Sequence, residues 1–260
     1  MARLLAMIYG AAAYVTFLAT FLYAIGFVGN VAVPKSIDSG GGGFSWQALL
    51  ADASLLGLFA IQHSVMARQG FKRVWTRIVP QSIERSTYVL LASLCLLLLF
   101  WQWRSMSEVV WSVGGLAGAR ALTALGALGW LTVLASTFIA SHTELFGLRQ
   151  AGLYALGRVY TALGLETGSL YRQVRHPIYL GFLLAFWATP RMTLGHLVFA
   201  IATTGYILIG IQLEERDLVA AFGSAYRQYR ERTPMLIPFM RRRARNTRLA
   251  GAPSNLRTPG

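Results

Sequence analysis

Charge is scarce in this chain. Only 13% of its 260 residues are Asp, Glu, Lys or Arg, and only ten are acidic, whereas an ordinary soluble domain carries about 25% charged residues. Hydrophobic residues make up 55%, so a soluble globular fold is excluded. Cysteine is nearly absent: Cys95 stands alone among leucines, so no intrachain disulfide can form and it reads as a small buried hydrophobe. No Cys/His group has zinc spacing, so neither a metal nor metal catalysis is expected. The glycine-rich stretch Ser39–Gly43 is followed by no GK[ST] and reads as a flexible connector rather than a phosphate loop. No internal repeat of roughly 20–50 residues is present.

What the chain does have is long apolar runs. A helix needs about 20 apolar residues to cross a hydrocarbon core of about 30 Å. Leu4–Val28, Ala48–Met66, Thr87–Trp103 and Ala121–Ala140 have that character. The first run is longer than the ~7–15 apolar residues of a signal peptide and is expected to remain in place. Ile178–Ile211 is broken near Pro190 and reads as a hairpin: a short helix, a tight turn around Thr189–Thr193, and a full-length helix. The expected fold class is therefore all-α and integral to the membrane, with four transmembrane helices, a C-terminal transmembrane hairpin and cytoplasmic helices. Residues 1–240 are expected to form a single domain, with the cofactor-binding part over about 141–240 and a basic, disordered tail over 241–260.

The net charge of +14 is segregated by loop as the positive-inside rule requires. Arg68, Lys72, Arg73, Arg77 and Arg85 share one loop; Arg149, Arg158, Arg172 and Arg175 share another; ten arginines follow Gln212. The intervening loops hold only Lys35, the flanking pair Arg104 and Arg120, and Arg191. Both termini are thus expected in the cytoplasm. Nucleic acid is not an expected partner, and the Arg241–Arg243 run is read as a lipid-headgroup contact.

Ionisable groups at membrane depth are costly and mark candidate sites. His63 lies near the cytoplasmic end of the second span and His142 at that of the fourth, two residues before Glu144. His196 begins the last helix near Arg191 and reads as interfacial. The densest cluster brackets the hairpin: Arg175-His176-Pro177 enters it, and Glu214-Glu215-Arg216-Asp217 leaves it. Tyr226, Tyr229 and Arg230 then share one helical face. A zwitterion with an aromatic base suits such a cluster, its carboxylate on an arginine and its amine on a glutamate; S-adenosylmethionine has all of these groups.

Four ordered pieces, R-H-P-x-Y-x-G at Arg175–Gly181, E-E-R-x-L at Glu214–Leu218, F-G-x-x-Y-x-x-Y at Phe222–Tyr229 and P-x-x-I-P at Pro234–Pro238, resemble the C-terminal signature of the isoprenylcysteine carboxyl methyltransferase and phospholipid methyltransferase superfamily. The resemblance implies S-adenosylmethionine binding by Arg175, His176, Tyr179, Gly181, Glu214, Glu215 and Arg216, and Tyr229 joins them as a candidate. From about Ile61 to Phe239 the chain is similar to the bacterial methanethiol S-methyltransferase family, through QHSVMAR (Gln62–Arg68), IERSTYVL (Ile83–Leu90), FGLRQ (Phe146–Gln150) and the hairpin segment Arg175–His196. It departs at Ser141–Glu144, where that family is associated with Asn-His-Phe-Asp.

The resemblance implies conversion of methanethiol to dimethyl sulfide in the bacterial inner membrane, with the cofactor site cytoplasmic and the thiol and membrane lipid as partners. The nucleophile is a thiolate. His63 or His142 is expected as the base, with Glu144 orienting the imidazole. Alternative acceptors are a prenylcysteine carboxylate or a phospholipid amine; sterol-reductase chemistry with NADPH and a non-enzymatic membrane component are the readings from other classes.

Overall fold

The computed structural model describes residues 1–238; the expected basic tail over 241–260 lies outside the described residues. Among the described residues, five helices are long and apolar enough to cross a membrane: α1 (Ala2–Gly29), α2 (Trp46–Ala67), α4 (Glu84–Gln102), α5 (Leu116–Ile139) and α9 (Leu194–Phe222). Between them lie the short helices α3 (Gln69–Trp75), α6 (His142–Leu145), α7 (Leu148–Ala155) and α8 (Pro177–Trp187), and α10 (Ser224–Arg232) follows α9. The first four expected spans and the hairpin fall where the apolar runs placed them. At ~1.5 Å per residue α8 reaches only about half the hydrocarbon thickness. Pro177 occupies its first turn, where no backbone N–H is needed.

Small residues decide how α8 packs. Gly181 of α8 lies against Gly129 and Val133 of α5, so that a Cβ there would stand 2.7 Å from the Gly129 carbonyl oxygen and 2.8 Å from the Val133 nitrogen. Gly129 meets the α8 backbone just as closely. Without a hydrophobic effect between helices in lipid, such close backbone approach gains dispersion energy that larger side chains prevent. Gly181→Ala is therefore expected to lower stability by about 1–3 kcal/mol, the usual cost of overpacking, read as a lower melting temperature in detergent. Around α5 and α8, Phe27, Phe100, Trp103, Trp130, Phe186 and Phe199 form an aromatic core with several edge-to-face pairs, among them Phe27–Trp103 at 5.9 Å and Phe186–Phe199 at 5.0 Å.

One element was not foreseen. Val109–Ser112 (β1), within the loop Arg104–Arg120, pairs antiparallel with Arg191–Thr193 (β2) at the hairpin turn. The run Val-Val-Trp-Ser has strand-forming residues, but only the partner strand, about eighty residues away, makes it a strand. This small sheet helps close the turn end of the bundle. Asp38 accepts from the Thr193 hydroxyl, the Trp103 indole donates to the Ile37 carbonyl at 3.1 Å, and Asp52 accepts the Arg104 N–H at 2.9 Å. His196, expected at the interface, is fully buried beneath this closure, with Nε2 2.9 Å from the Phe186 carbonyl.

Candidate active site

The opposite end of the bundle gathers the charged groups. Arg175 and His176 lead into α8, and their N–H groups donate to the Pro234 and Met235 carbonyls at 2.9 and 3.2 Å. That backbone pairing holds the segment after α10 against the hairpin mouth. Glu215 is the centre of the cluster. Arg175 donates to its Oε1 through Nε at 2.8 Å, Nη2 forms an ion pair with that oxygen at 2.7 Å, and His176 Nε2 lies 3.1 Å from it. Arg175 Nη1 also donates to the carbonyls of Arg230 and Thr233, at 3.1 and 2.5 Å. Most of its donors are thus used by the protein itself.

Other groups remain available. Glu214 is half-exposed, with one oxygen 3.8 Å from His176 Nδ1, and it faces the Tyr179 hydroxyl. A cavity of about 390 Å³ is lined by Gln212, Glu215, Arg216, Val219 and Arg230. Tyr226 is buried beside this cluster and its hydroxyl has no hydrogen-bond partner among the described residues. Tyr229 donates to the Tyr171 carbonyl at 2.5 Å. Burial raises the pKa of the Tyr226 phenol and pushes that of Tyr229 up to about 12, so both are neutral donors at physiological pH. A cationic rim, an open carboxylate and an unsatisfied hydroxyl fit a zwitterionic cofactor.

The two histidines offered as alternative bases do not share a partner. His63 on α2 faces α4 and α9: the Tyr88 hydroxyl lies 2.8 Å from Nε2 and 3.0 Å from Nδ1, Phe59 stacks at 5.1 Å, and Tyr206 stands edge-on at 6.4 Å. Ser64 donates to the Tyr206 hydroxyl at 3.3 Å, and Arg68 pairs with Asp217 at 3.0 Å. These contacts join α2 to the same helix, α9, that carries Glu214 and Glu215. His142 instead sits between α1 and α5, with Tyr14 2.9 Å from Nε2, Thr137 2.9 Å from Nδ1 and Phe138 stacked at 4.2 Å. Both of its ring nitrogens are engaged. Glu144 does not orient this ring; its carboxylate accepts from Arg149 at 3.0 Å and from Tyr160 at 2.5 Å. Gly181 is turned toward α5 and away from the charged cluster.

The chain aligns with a methanethiol S-methyltransferase of Mycobacterium tuberculosis at 60% identity, covering 93% of this chain and 99% of that protein. It belongs to the methanethiol S-methyltransferase family. A second member, from Crocosphaera subtropica, is 52% identical over 92% of this chain and 94% of its own length. Nurim of Xenopus laevis is 32% identical over 64% of this chain and 61% of its own. No protein-family model matches the chain, and no solved structure gives a significant match.

Membership of a methyltransferase family gives the polar clusters a chemical context. Tyr88 and Tyr206 are the neighbours that the sequence reading left out. Tyr88 lies inside the IERSTYVL segment that carried the family resemblance, yet a lone tyrosine in a span has no pattern to mark it. Tyr226 was visible through its spacing to Tyr229, but its unsatisfied hydroxyl was not.

His142 lies outside the membrane-crossing helices, and burial lowers its pKa from the ordinary histidine value. The unfolded chain then takes up the proton first. The stability contributed by neutral His142 is full above the unfolded pKa of about 6.5 and is lost as pH falls through the lower folded value. The melting temperature in detergent is expected to decline as pH drops below about 6.5, and His142→Gln should flatten that decline.

Proposed function

We propose that this chain transfers a methyl group from S-adenosylmethionine to methanethiol or a similarly small thiol, yielding dimethyl sulfide in the case of methanethiol. The observation that carries the reading is the convergence on α9 of the charged hairpin mouth with the His63–Tyr88–Tyr206 cluster of the neighbouring helices. Bound S-adenosylmethionine supplies a sulfonium methyl open to in-line displacement. Glu214 accepts the amine of the cofactor, Arg216 and Arg230 take its carboxylate, and Tyr226 donates its free hydroxyl. Arg175, His176 and Glu215 hold these groups in place, and Tyr229 braces α10 against Tyr171.

A thiol is a poor nucleophile until its proton is gone. His63 accepts that proton, with Tyr88 fixing the ring by hydrogen bond. Tyr179 bridges the two halves, its ring 5.6 Å from His176 and its hydroxyl facing Glu214. A bound sulfonium donor would supply its methyl carbon to the thiolate sulfur that His63 leaves deprotonated, and its own sulfur would depart as a neutral thioether. In this reading the charged end faces the cytoplasm, where the cofactor is made, and the membrane is a bacterial inner membrane.

The test is purified protein in detergent with methyl-labelled S-adenosylmethionine. Methanethiol, phosphatidylethanolamine and a prenylcysteine are offered separately. Labelled dimethyl sulfide from the first alone supports the proposal; label in either lipid-type acceptor and none in the thiol overturns it.

A further inference from the structure

We propose that Tyr206, with Phe59, forms a wall that restricts the acceptor to thiols with the shortest alkyl groups, and that the notch at Gly210 is where the alkyl group lies. The inference rests on the thiol-methylation reading and deepens it. Along α9, Tyr206, Gly210 and Glu214 follow at four-residue spacing and form one ridge. Tyr206 therefore marks the base end of this ridge and Glu214 the cofactor end. Between them, an added Cβ at Gly210 would find, among the described residues, only one neighbour within 4 Å, the Tyr179 hydroxyl at 4.0 Å. The glycine leaves a shallow space floored by backbone and roofed by Tyr179.

The wall of that space is rigid. Phe59 stacks on His63 and meets the Tyr206 ring at 6.1 Å and 67°, an edge-to-face pair. Tyr206 is further held by the Ser64 hydroxyl at 3.3 Å. Because both rings bear on the imidazole that takes the thiol proton, an acceptor sulfur at His63 has aromatic carbon on the side away from Glu214. A methyl group fits a space opened by one missing side chain; a propyl or butyl chain has to displace a packed ring. An ill-fitting methylene in a hydrophobic pocket is worth about 10–200-fold in discrimination.

The experiment compares kcat/KM for methanethiol and 1-butanethiol in wild type, Tyr206→Ala, Tyr206→Phe, Gly210→Ala and, as a control on another face of α9, Leu208→Ala, which is exposed. Tyr206→Ala is expected to raise the butanethiol-to-methanethiol ratio by about tenfold or more. Tyr206→Phe keeps the ring and should keep the ratio, and Leu208→Ala should change nothing. Gly210→Ala has no clash to relieve and improves helix propensity by about 0.8–1.0 kcal/mol, so it should fold; it is expected to raise KM for methanethiol severalfold. Binding of S-adenosylhomocysteine by calorimetry shows that each variant is folded. If the wild type methylates methanethiol but Tyr206→Ala leaves the ratio unchanged and Gly210→Ala leaves KM unchanged, the wall is refuted while the function stands. If the wild type methylates no thiol, the function itself fails and the wall with it.

Discussion

Replacing Arg175 with alanine is expected to abolish detectable cofactor binding and to lower stability by about 3–5 kcal/mol, the usual cost of breaking a buried ion pair. The side chain is almost wholly buried, at 7% exposure against 13% for Glu215, so solvent screening does little to soften the loss. Two effects add. Glu215 loses its two closest cationic contacts, and the carbonyls of Arg230 and Thr233 lose the Nη1 donor. Those carbonyls lie at the end of α10 and just after it, so the helix that carries Tyr226 and Tyr229 loses its attachment to the hairpin. Arg175→Lys retains a charge but not the planar fork that reaches three acceptors at once. It should recover part of the stability and little of the binding. Calorimetric titration with S-adenosylhomocysteine and thermal melts in the same detergent separate the two readouts; an Arg175→Ala protein that binds as wild type would remove the cluster from the cofactor site.

The second large effect is on turnover. His63→Ala is expected to reduce thiol methylation by about 10²–10⁴-fold at neutral pH, the range for loss of a general base, with affinity for S-adenosylhomocysteine within about twofold of wild type. A purely structural histidine would lower melting temperature and activity together at every pH. A base has a different signature: the variant's rate should climb about tenfold per pH unit below the pKa of the thiol, because solvent then does the deprotonation that His63 no longer does. Wild type should be much flatter over the same range. Equal rates for wild type and His63→Ala at neutral pH would exclude this histidine. The parallel His142→Gln variant is a useful companion, since that ring is held by Tyr14 and Thr137.

The membrane fold was legible because hydropathy is a local property. A run such as Leu4–Val28 or Ala121–Ala140 satisfies its backbone hydrogen bonds internally wherever it sits in lipid, and α1 and α5 formed over almost those residues. The break at Pro190 likewise reads from proline chemistry alone, and α8 ends at Trp187 before it. The charged hairpin mouth was visible for the related reason that Arg175-His176 and Glu214-Glu215 lie at the two ends of one helical hairpin, whose geometry returns the chain to the level it left.

Pairings across helices were not legible, because helix rotation and neighbour choice in a bilayer depend on side-chain fit rather than on periodicity. His63 and His142 both read as ending a span on the same side, yet helix packing turns one toward Tyr88 and Tyr206 and the other toward Tyr14 and Thr137. Glu144, two residues from His142, is drawn away by Arg149 and Tyr160. Gly181, read with the cofactor group, serves the crossing of α5 and α8 because only a residue without Cβ admits the Gly129 backbone. The run of residues thus determined which segments enter the membrane and at which end the charge collects, through the cost of burying peptide groups and ions in hydrocarbon. Which partners each imidazole meets was decided by packing, through contacts between residues far apart in the chain.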